Sequence, residues 1–210
     1  MATRKVKRKK PGKLLRFIKV IVVLVVLLVV GFAGLYMVYP DVSKLKKQNP
    51  GKTSFMEYRE AEYRAKGNKI RIQSKWVPLR SISPYLMKAV LIAEDDKFWS
   101  HHGFDTEAIQ KALEKNLEAG RFKLGGSTIS QQLTKNLYLT PSKNPVRKLK
   151  EAIITWRLER ALSKRRILEL YLNVVEWGEG IFGAEAAARR HFGKSASALT
   201  AEEAAKLAAA

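Results

Sequence analysis

The 210-residue chain contains no cysteine and only three histidines. The missing cysteine excludes disulfides, thiolate catalysis and Cys-ligated zinc. It leaves the compartment open, because many exported bacterial proteins also lack cysteine. His101 and His102 are adjacent and so point in different directions, and no helical HxxxH pair is present to hold zinc. There is no P-loop, no Ser-His-Asp signature and no internal repeat. Acidic residues are scarce, 19 against 40 lysines and arginines, which leaves a net charge of +21. With 46% hydrophobic residues the composition is not that of a disordered chain. The length suits one domain plus an anchor.

The excess positive charge has two parts. Residues 1–19 hold nine basic side chains (Arg4, Lys5, Lys7, Arg8, Lys9, Lys10, Lys13, Arg16, Lys19) and no acid. Taking these nine from +21 leaves +12 for the remainder, so the main domain is basic in its own right. Such a domain attracts an anionic partner: nucleic acid, a phospholipid surface or a phosphorylated substrate. Residues 20–39 carry no charge at all. Twenty residues at about 1.5 Å each span a hydrocarbon core of about 30 Å, and the run exceeds the roughly 7–15 apolar residues of a cleaved signal. We read a basic cytoplasmic segment over 1–19 and an uncleaved transmembrane anchor over 20–39. The positive-inside rule places the N-terminus in the cytoplasm, because Lys44, Lys46 and Lys47 on the far flank are fewer. The domain after Pro40 then faces outward, where little nucleic acid is available.

Residues 40–74 read as a linker and membrane-proximal region, with an amphipathic helix near 54–66. Weak alternation predicts an extended stretch over 69–79. From Pro84 onward the pattern is mainly α-helical. Asp105 or Thr106 caps a helix that Gly120 stops, and Asn144 precedes Pro145 at a helix start. Val146, Leu149, Ile153 and Trp156 form an apolar stripe, Ser163 starts another helix, and Thr200 with Glu203 reads as a capping box. Trp76, Trp99, Trp156 and Trp177 read as core or membrane-interface residues.

Three constellations could carry chemistry. Glu94 ends an apolar helix face, Val90-Leu91-Ile92-Ala93, and heads the run Glu94-Asp95-Asp96. Apolar surroundings disfavour a carboxylate's charged form and can raise its pKa towards that of a useful acid or base. The bland counterpart is a solvated helix end. The second constellation, residues 125–136, leads two glycines into a helix capped by Ser127 or Thr128. Thr128 and Gln131 fit a capping box, and Lys135 lies two turns on. Free amides at a helix N-terminus attract anions, and glycines let a phosphate come close. The third is Arg147-Lys148 with Glu151 on one helix face, either a surface ion-pair cluster or a cationic site for a diphosphate, with Lys143 and Lys135 adding charge.

Together these blocks resemble the peptidoglycan glycosyltransferase family, shared by class A penicillin-binding proteins and monofunctional enzymes. The motif ED-x-x-F-x-x-H-x-G is met by Glu94, Asp95, Phe98, His101 and Gly103, and GGSTI-[ST]-QQL-x-K-N by residues 125–136. RK-x-x-E is met by Arg147, Lys148 and Glu151, and K-x-x-ILE-x-YLN by residues 164–173. Phe192-Gly193-Lys194 and residues 203–208 match the last motif. The resemblance covers about residues 75–210, the expected catalytic domain, and residues 176–180 look like the monofunctional proteobacterial branch. At Lys143 many relatives carry arginine. The family pattern runs on past residue 208, so an incomplete C-terminal edge is expected.

The resemblance implies a mainly α, lysozyme-like fold of two lobes with a membrane-embedded jaw. It implies polymerisation of lipid II into β-1,4-linked glycan with release of the polyprenyl diphosphate. Glu94 would be the general base, and Glu151 would orient the leaving diphosphate through a divalent cation (Mg or Mn) or water. Ser127, Thr128 and Gln132 would position the donor, while Lys135, Lys143, Arg147 and Lys148 would meet the developing charge. No cofactor is implied as required, and the metal question stays open. Expected partners are lipid II, the nascent glycan strand, the cytoplasmic membrane and proteins of cell-wall synthesis or division, but not nucleic acid. The expected location is the inner membrane, single-pass, with the catalytic domain periplasmic. Two rivals stand beside this reading: a lytic enzyme using two carboxylates across a sugar cleft, and a non-enzymatic basic membrane scaffold. A fragment of a bifunctional penicillin-binding protein would differ only beyond Ala210. Glu169 and Glu179 are taken as structural.

Overall fold

The computed structural model describes residues 12–38, 40–69, 71–120, 125–141 and 144–209. Lys143 lies outside them. The chain divides into two compact units, Met1–Tyr39 and Pro40–Ala210.

The first unit contains one long helix, α1 (Lys13–Val38). Within its stretch Lys13–Gly34 an 18-residue window has a mean hydropathy of 2.9, none of it buried, and the stretch is long and apolar enough to cross a membrane. A helix satisfies every backbone hydrogen bond within the segment, which hydrocarbon demands. The helix begins ahead of the uncharged run, taking in Lys13, Arg16 and Lys19. Such long stems suit a helix end at an interface, where the charged head reaches water.

The second unit is mainly helical. Its helices are α2 (Ser54–Ala65), α3 (Pro84–Glu94), α4 (Thr106–Glu118), α5 (Ile129–Tyr138), α6 (Pro145–Ala161), α7 (Lys164–Val174), α8 (Ala184–Phe192) and α9 (Ala201–Ala208). Seven of these eight starts follow local chemistry: the side chains of Thr53, Ser83, Asp105, Thr128, Asn144, Ser163 and Thr200 all accept a first-turn amide, while α8 starts behind Gly183 without a side-chain cap. Complete capping boxes occur at Thr128 with Gln131 and at Thr200 with Glu203.

The core is built around α5 and α7. Ile167, Leu168, Leu170, Tyr171, Leu172 and Val174 of α7 are all buried, so this helix is enclosed on almost every side. Ile129, Leu133 and Leu137 of α5 pack into the same cluster with Leu86 and Val90 of α3 and Leu158 of α6. The stripe on α6 behaves differently. Ile153 is buried, but Val146, Leu149 and Trp156 are exposed, Leu149 at 52%. The inward face of α6 is instead Glu151, Ile154, Thr155 and Leu158.

Residues 40–74 are integral to this unit rather than a loose connection. Val42, Leu45 and Met56 are buried, and the Arg166 guanidinium donates to the carbonyls of Leu45 and Gln48. The stretch predicted as extended forms only a two-residue strand, β1 (Gln73–Ser74), parallel to β2 (Ile181–Phe182) with Gln73 opposite Ile181. Beyond it, side chains of α7 replace the ladder. Val77 N–H donates to Asn173 Oδ1 at 2.9 Å, Asn173 Nδ2 donates to the Val77 carbonyl at 2.9 Å, and Leu79 N–H donates to Glu169 at 2.9 Å. Glu169 is therefore structural.

Gly183 follows β2 with φ +83°, and a Cβ there would lie 2.6 Å from the Asn173 carbonyl oxygen. Gly183→Ala combines left-handed strain of about 1–2 kcal/mol with overpacking of about 1–3 kcal/mol. We expect the thermal midpoint to fall by about 5–15 °C, measured by circular dichroism in detergent.

Candidate active site

The C-terminus of α3 and the N-terminus of α5 are joined by polar bonds from the first two motifs. Asp95, the residue after α3, is buried and accepts Ile129 N–H at 3.0 Å. His101 completes the joint. Gly103 N–H donates to His101 Nδ1 at 3.1 Å, so Nε2 carries the proton and donates to the Asp95 carboxylate at 2.9 and 3.0 Å. Thr128 Oγ1 donates to the Gly103 carbonyl at 2.7 Å. Gly126 packs onto α4, where a Cβ would meet Ile109 Cα at 2.9 Å. Phe98 lies buried beneath, with the Lys164 ammonium 4.4 Å from its ring centroid. Glu159 receives both Lys164, at 2.7 Å, and the Ser130 hydroxyl. Glu159 belongs to none of the motifs, and nothing in the local sequence marked it.

This joint sets Glu94 at a small cleft of about 120 Å³, lined among others by Ile92, Asp96, Asp105, Gly125 and Ser127. Of the two readings open for Glu94, an acid in apolar surroundings or a solvated helix end, its environment is the second: Glu94 is exposed, because Ile92 and Ala93 beside it also face outward. Its Oε2 accepts Gln132 Nε2–H at 2.6 Å, and Gln132 Oε1 accepts the Tyr171 hydroxyl at 3.1 Å.

The amides expected to await an anion at the start of α5 are largely occupied. Ile129 N–H goes to Asp95, Gln131 N–H to Thr128 Oγ1, and Thr128 N–H to Gln131 Oε1. Thr128 is 2% exposed, whereas Ser127 is exposed on the cleft. Lys135 lies three residues beyond Gln132, on the same side of α5.

The third constellation sits on α6, which meets α5 through a 3.0 Å bond between Thr155 Oγ1 and Thr134 Oγ1. One turn before Thr155, the Glu151 side chain is 3% exposed. Arg147 donates to its Oε2 at 3.0 Å and Lys148 to its Oε1. Both carboxylate oxygens hold cations, and the Lys148 side chain is 53% exposed. Among the described residues no group of three His, Cys, Asp or Glu side chains is placed to hold a metal ion.

The transglycosylase family model matches residues 63–210, which span the whole arrangement. The chain belongs to the transglycosylase family. It is 59% identical over 160 residues to the biosynthetic peptidoglycan transglycosylase of Aromatoleum aromaticum, covering 76% of this chain and 70% of that one. To the proteins of the same name from Dechloromonas aromatica and Nitrosospira multiformis it is 58% and 56% identical, again over about three quarters of this chain and 69–70% of theirs. The transglycosylase match contains all five motifs and begins inside α2, so the family's domain includes part of the segment that sequence alone had assigned to a linker.

Proposed function

We propose that this transglycosylase uses Glu94 as the general base that polymerises lipid II into peptidoglycan strands. The chain is a peptidoglycan glycosyltransferase, and the observation that carries the assignment of the base is the exposed Glu94 carboxylate at the cleft. One oxygen is held by Gln132, while Oε1 has no partner among the described residues. The cleft around it is lined by carboxylates, including Asp96 and Asp105, which suits a neutral sugar rich in hydroxyl donors better than a diphosphate. The acceptor 4-hydroxyl gives its proton to Glu94 as its oxygen bonds to the donor anomeric carbon. The bond from that carbon to the diphosphate breaks with inversion, and the polyprenyl diphosphate leaves.

Arg147 and Lys148 meet the charge on the leaving group, with Lys135 and Lys143 adding to the field. Glu151 acts by gathering these two cations, its oxygens being taken by them. Ser127 meets the donor, and Thr128 holds the backbone that presents it. In this reading protein cations carry the role a divalent metal would otherwise fill, and no cofactor enters. Helix α1 anchors the enzyme as a single pass in the cytoplasmic membrane, with the basic N-terminus inside and the catalytic unit in the periplasm, beside lipid II and cell-wall synthesis or division proteins.

The test is labelled lipid II with detergent-solubilised protein. Lysozyme-sensitive polymer supports the reading, and its persistence in EDTA supports the metal-free form. Cutting of preformed strands without polymer would move the assignment to the lytic rival. Absence of both activities would leave the scaffold. A variant lacking residues 1–39 should keep its rate in micelles and lose about tenfold on lipid II vesicles, because the anchor raises the local concentration of enzyme at the substrate. Equal rates on vesicles would deny the anchor that role.

A further inference from the structure

Three helices contribute one polar line to the site: Tyr171 from α7, Gln132 from α5 and Glu94 from α3. Chemistry sets its direction. An ionised carboxylate only accepts hydrogen bonds, so the amide must turn its NH₂ towards Glu94. The amide oxygen then faces Tyr171, whose hydroxyl must donate, and the distances of 2.6 Å and 3.1 Å suit both bonds. Tyr171 is 3% exposed and belongs to the buried core cluster, as do Leu170 and Leu172 of the same helix. Burial, and then the charges of Glu94 and Asp95, push its phenol far above the usual tyrosine range, so it keeps the proton it donates.

We propose that Tyr171 is a positioning residue for the glycosyl transfer: its hydroxyl locks the Gln132 amide, which in turn holds one oxygen of Glu94 and leaves the other for the acceptor hydroxyl. The inference rests on Glu94 being the base. Glu94 is exposed and has no other hydrogen-bond partner among the described residues, so Gln132 is what restrains it. Gln132 is itself fixed by the tyrosine, whose ring is seated in the core. Removing the hydroxyl leaves the ring in place and frees the amide to turn away. The carboxylate then samples orientations that do not face the acceptor, and misplacement of about 1 Å is enough to cost a large factor in rate. Binding of lipid II at other contacts is unaffected.

The experiment compares wild type, Tyr171→Phe, Gln132→Ala and the double variant in lipid II polymerisation, with ¹⁵N-glutamine-labelled protein in detergent for NMR. Tyr171→Phe should lower kcat by about tenfold to a hundredfold and change KM by less than about twofold. In the Gln132→Ala background the same substitution should have almost no further effect on kcat. The side-chain NH₂ signal of Gln132, identified by its loss in Gln132→Ala, should move in Tyr171→Phe. An unchanged kcat, an equal loss in both backgrounds, a loss confined to KM or a Tyr171→Phe protein that does not fold would each overturn the proposal. The NMR readout separates the two readings. If Glu94→Gln retains turnover while the Gln132 signal still responds to Tyr171→Phe, the base assignment has failed and the contact stands without its catalytic role. A Gln132 signal indifferent to Tyr171→Phe overturns the lock whatever Glu94 does.

Discussion

Glu94→Gln is expected to reduce lipid II polymerisation by about 10²–10⁴-fold while leaving the fold intact. Glutamine keeps the shape and can still meet Gln132, but it has no basic oxygen for the acceptor proton. The position is exposed and ends α3, so the substitution should change stability by no more than about 0.5 kcal/mol. A thermal midpoint within about 2 °C of wild type is the control. Asp95, next in the chain, is the contrast. It is buried, bonded to Ile129 N–H and His101, and its loss would unfasten α3 from α5. In the proposed mechanism these two neighbouring acids have different functions, one structural and one chemical, and only a variant folded like wild type reports on the second. A folded Glu94→Gln protein with more than about a tenth of wild-type turnover would take the base role from Glu94.

What sequence could show of this site was what lies close along the chain. The caps at Thr128, Asn144, Ser163 and Thr200 and the grouping of Arg147, Lys148 and Glu151 all act within one helical turn. Turn-scale rules are enough for them. The joints that build the site are long-range. Asp95 reaches Ile129 across 34 residues, Gln132 reaches Glu94 across 38, and Tyr171 reaches Gln132 across 39. Asn173 reaches Val77 across 96. No local pattern specifies such pairs, and motif resemblance marks the residues without saying which touch. This explains two differences. The α5 amides looked open to an anion because the Asp95 that binds one of them comes from another element. Residues 40–74 looked like a linker because the Arg166 that binds their carbonyls lies on α7, as do Glu169 and Asn173, which hold the stretch just beyond. The stripe of Val146, Leu149 and Trp156 was visible as helical spacing, but periodicity alone does not say whether a stripe meets a core or lies exposed, and here it lies exposed.

Lys148→Ala is expected to lower polymerisation by about 10²–10³-fold with only a small loss of stability. The rate argument is electrostatic: a cation fixed before the diphosphate departs needs no reorganisation when charge develops, and one preorganised donor is typically worth that factor. The stability argument comes from exposure. The Lys148 side chain is 53% exposed, so its pairing with Glu151 is screened and contributes about 0–1 kcal/mol. After its removal Arg147 still donates to Glu151 at 3.0 Å. The midpoint should fall by no more than about 4 °C. Arg147→Ala differs, because that side chain is only 22% exposed and supports a Glu151 side chain that is 3% exposed. Stripping a partner from a buried carboxylate typically costs about 3–5 kcal/mol, and the remaining Lys148 holds this case to the lower end. Loss of function in Arg147→Ala therefore mixes chemistry with folding, while Lys148→Ala separates them. Lys148→Arg keeps the charge and should recover most of the rate if a cation at that place is what the leaving diphosphate requires. If instead Lys148→Ala loses its fold in proportion to its activity, the cluster is an ion pair that stabilises α6, and the stabilising charge must come from elsewhere on the chain.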